Sequence, residues 1–234
     1  MYQQSYAKMR RTRKRLSFLR ADCIGRIALV FILLCCFAVP NGYSSSQSAQ
    51  YKEYEIKAAF MYNFLKFIDW PEGKTAKSGN QIIIGIIGDD PFGSAADVLK
   101  DKKVEERDVV VKRFEGFQQL KEQADKGKKE QMEALKTCHL LFICPSEKKL
   151  LAEIIDVVKS DGVLTVGDIG EFIEAGGTIS FFMEDNKIRF NINLTSAEKA
   201  GLKIRSQLLR LAKKVIKNGS ETQAVDSNTK QEAK

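Results

Sequence analysis

The sequence predicts an α/β protein with a mostly parallel sheet flanked by helices, a C-terminal antiparallel hairpin and a closing amphipathic helix. Short uncharged runs, typical of strands buried on both faces, alternate along the chain with stretches of helical periodicity. Such alternation implies right-handed crossovers and a parallel sheet. Near the C-terminus, two runs of strand character flank Asp185-Asn186, a pair of residues typical of a tight hairpin turn.

The first predicted elements are a helix, a strand and a short second helix. Over 51–67, apolar residues recur at helical spacing between lysines and glutamates, and Trp70-Pro71 ends this helix. The uncharged run Gln81–Ile87 predicts a strand buried on both faces. Asp89-Asp90-Pro91 follows, an acidic cap before a proline, and predicts the start of a short helix that ends at Lys100.

Three units of strand and helix are predicted in the middle of the chain. The bounds are strand 109–111 with a charged surface helix over 116–136, strand 140–143 with helix 147–159, and strand 163–166 with a short helix over 167–177. Each unit repeats the order that a parallel sheet requires.

The C-terminal elements are a hairpin, a closing helix and a tail. Ile179–Met183 and Ile188–Leu194 are the hairpin strands, and apolar and polar residues alternate clearly in the second one. Residues 202–217 have the apolar spacing of an amphipathic helix. Residues 218–234 are polar and are expected to form a disordered tail. The sequence therefore predicts a single α/β domain over 51–217.

Residues 1–46 are predicted to be a secretory signal peptide. A basic stretch precedes the uncharged run 27–39, which is shorter than the roughly 20 residues that a transmembrane helix needs. Small residues at 44–46 suit a cleavage point. The alternative is an uncleaved membrane anchor, which the length of the basic stretch favours. With a cleaved signal, the protein is expected to be exported.

The basic character of the chain belongs to this leader. The whole chain has a formal net charge of +8, and up to Ser46 eight lysines and arginines stand against Asp22 alone. The residues after the leader are therefore nearly balanced in charge. Binding to a phosphate backbone requires a basic surface, so nucleic acid is not an expected partner.

Two aspartates at the end of the first predicted strand are candidate ligand- or partner-binding residues. Asp89 and Asp90 directly follow the strand, at a position where doubly wound folds bind ligands. The segment lacks the Gly-x-Gly-x-x-Gly spacing that cradles a pyrophosphate, and two carboxylates would repel one. A helix cap is the ordinary role of such residues, and an enzyme that uses either carboxylate is a remote alternative.

Arg189 and Asn191 form a second candidate pair. They share the polar face of strand 188–194, whose other face is apolar. A guanidinium and an amide together can hold a carboxylate, so a small molecule that carries a carboxylate is a candidate ligand. The alternative is an exposed strand surface that binds nothing.

The sequence predicts no catalytic, metal or cofactor site. His139 is the only histidine, and its neighbour Cys138 points to the opposite face of the predicted strand, so a structural role is expected for the imidazole. Cys138 and Cys144 are the cysteines outside the leader. In an extended chain they lie about 20 Å apart, far beyond the roughly 4.4–6.8 Å that a disulfide spans. Buried thiols and no disulfide are therefore expected.

Four segments of the chain resemble the YfiR family of exported regulators. They are YEIKAAFMYNFLKFIDWP (54–71), IGIIGDDPFG (84–93), CHLLFIC (138–144) and LTVGDIGEFIEAGGTISFFMEDNKIRFNINLTSAEKAGLKIRSQLLRLAKKV (164–215). They occur in the order of the family, and the resemblance extends over 51–217. Residues 121–131 resemble an insertion, and the disulfide bonds of the family cannot be placed on Cys138 and Cys144 alone.

The resemblance implies a periplasmic α/β protein, often dimeric, without known catalytic activity. In this family the role is repression of an inner-membrane diguanylate cyclase through its periplasmic sensor region, which lowers cyclic-di-GMP and biofilm formation. The partners that the resemblance implies are this cyclase or another membrane sensor protein, an outer-membrane lipoprotein that releases the repressor, and a second copy of the chain.

Overall fold

The computed structural model describes residues 44–74 and 79–223. The sheet and its helices belong to a compact unit that begins at Ser48. Residues 1–43 of the predicted signal peptide, and residues 224–234 of the predicted tail, lie outside the described residues.

The chain orders its elements as the alternating pattern predicts. The first half contains helix α1 (Ser44–Lys66), strands β1 (Ile68–Asp69) and β2 (Gln81–Ile87), a 3-10 helix (Gly93–Leu99), strands β3 (Lys103–Val104) and β4 (Arg107–Phe114), and helices α2 (Phe117–Glu122) and α3 (Asp125–Thr137). The second half contains β5 (Leu140–Ile143), a 3-10 helix (Pro145–Leu150), α4 (Leu151–Val158), β6 (Leu164–Gly167), β7 (Ile179–Glu184), β8 (Lys187–Asn193), α5 (Leu194–Lys199), β9 (Lys203–Ile204), α6 (Ser206–Leu209), β10 (Lys214–Lys217) and β11 (Ser220–Gln223).

Nine strands form one mostly parallel sheet in the order β11-β10-β8-β7-β6-β5-β2-β4-β3. The five pairs β4–β2, β2–β5, β5–β6, β6–β7 and β8–β10 are parallel. β7 and β8 form the predicted antiparallel hairpin, with Asp185 and Asn186 at φ of 49° and 57°, as a type I′ turn requires. The predicted α/β class, with a mostly parallel sheet flanked by helices and a C-terminal antiparallel hairpin, is confirmed.

Two apolar layers cover the two faces of the sheet. Ile82, Ile84 and Ile86 of β2 pack on the side of α1 and the 3-10 helix Gly93–Leu99. Ile83 and Ile87 pack on the side of α2, α3 and α4. The uninterrupted isoleucine run of β2 therefore follows from burial on both faces.

The closing amphipathic helix predicted over 202–217 is wrong. Within this range only Ser206–Leu209 is α-helical, whereas Lys203–Ile204 pairs with β1 and Lys214–Lys217 forms β10. The hairpin would leave the outer edge of β8 without hydrogen-bond partners, and β10 satisfies those backbone groups by pairing with β8 in parallel. Strand pairing therefore overrides the helical spacing.

The predicted disorder of 218–234 is wrong for Ser220–Gln223, which forms β11 and pairs with β10. Asn218 and Gly219 join the two strands at φ of 51° and 77°, the conformation of a type I′ turn. Asn-Gly is itself a strong hairpin signal, so the sequence contained the information that its polar composition obscured. The short helix predicted over 167–177 is also absent, because residues 170–176 form consecutive turns.

His139 is buried immediately before β5 and has the structural role that the sequence predicts. Its Nδ1 accepts a hydrogen bond from the backbone N–H of Ile83 at 3.1 Å, and the indole of Trp70 packs edge-on at 5.5 Å between ring centroids. Burial, followed by the charge of Lys74, lowers the pKa of His139 to about 4. If Nδ1 were protonated, its N–H would face the N–H of Ile83 and the hydrogen bond would be lost. The fold therefore requires the neutral ring.

We expect the stability of the protein to fall between pH 6.5 and pH 4. The unfolded histidine has a pKa of about 6.5, so within this window the unfolded state binds the extra proton and the free energy of unfolding drops by about 1.4 kcal/mol per pH unit. Urea unfolding at pH 7.5 and pH 5.0 measures the loss, which is about 2 kcal/mol for this group. His139→Asn keeps an acceptor near Nδ1 without a titrating proton and should lose correspondingly less. Equal losses in both proteins would contradict the assignment.

Candidate functional site

Charged side chains gather where the parallel strands end. Asp89 and Asp90 follow β2, Arg113 is near the end of β4, Glu147 follows β5, and Asp168 follows β6. Parallel strands place their carboxyl ends at one edge of the sheet, where open α/β folds bind ligands. We call this side of the sheet the carboxyl edge, and we consider it first as a candidate site.

A buried ion pair links helix α1 to the carboxyl edge. The Nζ atom of Lys57 lies 2.6 Å from Asp168 Oδ2 and 2.6 Å from Glu53 Oε1. The side chains of Lys57 and Asp168 are only 5% and 9% exposed. The hydroxyl of Tyr54 donates a second hydrogen bond to Asp168 Oδ2, at 2.9 Å. Among the described residues, Asp168 Oδ1 has no hydrogen-bond partner although it is buried.

Aromatic rings pack beside this buried ion pair. The Tyr54 ring meets Phe92 edge-on at 5.0 Å between centroids, and Phe92 meets Phe142 at 4.8 Å. Burial, followed by the Asp168 carboxylate, raises the pKa of the Tyr54 hydroxyl, which therefore remains a neutral donor. The ion pair therefore has a structural role, because it connects α1 to the residue that follows β6.

Asp90 closes the turn after β2, but it is not the helix cap that the sequence predicts, because the N-cap of the 3-10 helix Gly93–Leu99 is Phe92. Its Oδ1 accepts from the backbone N–H of Phe92 at 2.8 Å, and its Oδ2 accepts from Arg113 Nε at 2.6 Å. Arg113 also donates to the carbonyl of Gly93. Asp89 is exposed, and its backbone N–H donates to Ser146 Oγ at 3.0 Å. Both carboxylate oxygens of Asp90 are therefore occupied within the chain.

Glu147 is a buried carboxylate that holds the start of α2. Its Oε2 accepts from the backbone N–H of Phe117 at 3.0 Å. Gly88 makes this approach possible, because its φ is +95° and an added Cβ would lie 2.5 Å from Ser146 Oγ. The glycine at the end of β2 thus serves close packing of β2 against the segment after β5.

Cys138 and Cys144 are buried free thiols. Burial raises the pKa of Cys138 to about 12. Burial, followed by the nearby carboxylates of Asp90 and Asp168, raises the pKa of Cys144. A nucleophilic cysteine needs a lowered pKa and access to solvent, and these two have neither.

Arg189 and Asn191 share one face of β8, on the side of the sheet opposite to α1. Arg189 is exposed, and its Nε lies 3.9 Å from Glu184 Oε2. Asn191 is half-buried opposite Ser180 and Lys214, and among the described residues its Oδ1 has no hydrogen-bond partner. Because Glu184 already faces the guanidinium and the unpartnered Oδ1 is an acceptor, the geometry gives no support to a bound carboxylate. That ligand stays a prediction.

The structure does not bring the two predicted pairs together. Strands β7, β6 and β5 separate β8 from β2, which corresponds to roughly 19 Å at 4.8 Å per strand. Lys57, Asp168 and Arg113 are not among the site residues that the sequence predicts. Lys57 had a usable signal, since helical spacing places it on the apolar face of α1 with Tyr54 and Met61.

Comparison with known proteins identifies the family. The model of the family described as YfiR/HmsC-like matches residues 54–213, which is more than half of the chain. The chain belongs to this family. The YfiR/HmsC-like region extends from Tyr54 on α1 to Lys213 just before β10, and therefore includes the ion pair, the carboxyl edge and the hairpin.

Comparisons with curated proteins and with solved structures identify no function. No curated protein matches the chain. Among solved structures, a conserved domain protein from Vibrio cholerae O1 biovar El Tor strain N16961 is similar at 10% sequence identity and a TM-score of 0.48. The match covers 70% of this chain and 60% of that chain, so the YfiR/HmsC-like chain matches less than two thirds of its neighbour. Across residues 44–74 and 79–223, no helix has the length and apolar character needed to cross a membrane.

We expect Lys57→Met to destabilise the protein by about 3–5 kcal/mol, because the buried Asp168 carboxylate would lose its cation. Denaturant unfolding monitored by circular dichroism measures the loss. The double variant Lys57→Met/Asp168→Leu removes both charges and should recover most of the stability.

An exposed ion pair provides the matched control. Lys217 lies 2.7 Å from Glu198, and both side chains are about half exposed. Lys217→Met should therefore cost less than about 1 kcal/mol. A similar loss for Lys57→Met and Lys217→Met would show that the buried pair contributes nothing special.

Proposed function

We propose that this YfiR/HmsC-like protein is a periplasmic regulator that acts by binding and catalyses no reaction. Specifically, it would bind and repress the periplasmic sensor region of an inner-membrane diguanylate cyclase, and so lower cyclic-di-GMP and biofilm formation. The observation that carries the proposal is the family match over residues 54–213.

The chemistry of the polar groups at the carboxyl edge agrees with a binding role. At the carboxyl edge, Lys57, Asp90 and Glu147 are engaged in contacts within the chain. The neutral imidazole of His139 and the protonated thiol of Cys144 are buried. These groups stabilise the fold, and none of them is poised as a nucleophile or general base.

Repression by a binding protein requires a difference in affinity between two states of the cyclase. If the regulator binds the inactive sensor state ten times more tightly than the active state, the equilibrium shifts by about 1.4 kcal/mol. An outer-membrane lipoprotein that competes for the same surface would reverse this shift. The proposed mechanism therefore needs an exposed surface and no reaction.

The uncovered face of β7, β8 and β10 is the surface that we propose for the cyclase. Arg189 is exposed there, and its register partner Phe182 is half-buried, as are Asn191 and Ile216. A cation beside partly exposed apolar side chains is typical of protein interfaces, in which arginine and aromatic residues are enriched. Asp89, exposed at the carboxyl edge, is the other predicted contact residue.

Deletion of the gene is expected to raise the concentration of cyclic-di-GMP, and the wild-type chain supplied in trans should restore the original low concentration. Arg189→Glu should fail to restore it, because a carboxylate would replace the cation of the proposed surface. The matched control is Arg210→Glu, which makes the same charge change at another exposed arginine. Mass-spectrometric quantification of cyclic-di-GMP measures the outcome, with periplasmic protein levels compared by immunoblot.

Unchanged cyclic-di-GMP after deletion, in every growth condition tested, would exclude the repressor role. Restoration by Arg189→Glu as complete as by Arg210→Glu would keep the role but remove this surface from it. Co-purification of the wild-type protein with a membrane diguanylate cyclase, lost in Arg189→Glu, would support both parts.

A further inference from the structure

A cavity of about 300 Å³ lies between α4, β6 and α5. Its lining includes none of the charged residues of the carboxyl edge and neither Arg189 nor Asn191. The cavity therefore suits a small organic molecule, at the lower end of the size range of ligand pockets.

The lining of the cavity includes a pair of buried hydroxyls. Thr165 and Thr178 are 3% and 2% exposed, and their Oγ1 atoms lie 3.1 Å apart. Thr165 Oγ1 also accepts from the backbone N–H of Thr178 at 3.0 Å. The two hydroxyls carry two protons, and one proton suffices for the bond between them. Whichever hydroxyl donates, the described residues provide no acceptor for the second proton, which is free to bond a ligand atom.

The remaining lining is apolar with a cationic rim. Ile155 and Val163 are buried aliphatic walls of the cavity. At the rim, Lys159 forms an ion pair with Asp156, whereas exposed Lys199 has no carboxylate partner among the described residues. The rim therefore carries one uncompensated positive charge beside an apolar wall and a hydroxyl donor.

We propose that this cavity binds a small organic monocarboxylate with a compact apolar body. The carboxylate would accept from Lys199 and from the threonine pair, and the body would contact Ile155 and Val163. A single excess cation matches one negative charge, and Asp156 at the rim would repel a dianion. This inference is independent of the proposed cyclase partner, since it requires only the isolated protein.

Isothermal titration calorimetry with benzoate and hexanoate tests the proposal on the purified protein. At least one acid should bind saturably, with a Kd of about 1 mM or tighter for about ten non-hydrogen atoms. Benzyl alcohol and hexanol, which keep the body without the charge, should bind at least about fivefold more weakly. Inorganic phosphate, which has charge without an apolar body, should not bind saturably.

Variants at the cavity locate the site. Lys199→Met should weaken binding about fivefold, while Lys199→Arg should stay close to wild type. Thr178→Val removes one hydroxyl and should weaken binding by a similar factor. If that buried variant fails to fold, the exposed Lys199 pair still decides. Arg189→Ala serves as the control, because Arg189 is not among the residues that line the cavity. This variant should bind as the wild type does.

Three results would overturn the proposal. The first is the absence of saturable binding of both acids by the folded protein at concentrations up to about 10 mM. The second is binding that Lys199→Met leaves unchanged. The third is binding that Arg189→Ala abolishes, which would place the carboxylate on β8.

Discussion

The arrangement of this protein depends on one buried contact, the ion pair between Lys57 on α1 and Asp168 after β6. Helix α1 covers one face of the parallel sheet, and this contact fixes it at the carboxyl edge, 111 positions away in the sequence. Two charges at 5% and 9% exposure are costly to desolvate unless they stay together. Tyr54 adds a second hydrogen bond from α1 to Asp168, and Glu53 pairs with Lys57 within the helix.

This contact changes how the carboxyl edge of the sheet is understood. In open α/β folds that edge is the usual place for a ligand, yet here its charged groups bind one another. Asp90 pairs with Arg113, Glu147 holds α2, and Lys57 is enclosed with Asp168. Apart from exposed Asp89, the surfaces still available for recognition therefore lie elsewhere, on the uncovered face of β7, β8 and β10 and in the cavity lined by α4, β6 and α5. Regulation by association, as proposed above, would use these surfaces.

Local sequence predicted the central strands well because burial on both faces leaves little freedom of interpretation. Gln81–Ile87 and Leu140–Ile143 occur with the predicted bounds, and Asp185-Asn186 adopts the positive φ that its composition suggests. The residues of the candidate site were harder to predict from the sequence. Asp90 was identified from its position after the strand, but its partner Arg113 belongs to the neighbouring strand β4, whose register only the folded sheet sets. Lys57 was overlooked because a lysine within a helix is ordinarily solvated.

The sequence by itself determined the layered α/β class, the order of the buried strands and the β7–β8 turn, since these follow from local periodicity and backbone preference. Only the tertiary structure determined the secondary structure of residues 202–223. Their spacing suits a helix and their composition a disordered tail, but the open edge of β8 offers backbone hydrogen bonds that β10 and then β11 complete. An unpaired strand edge is a property of the assembled sheet, and no local window of sequence contains it.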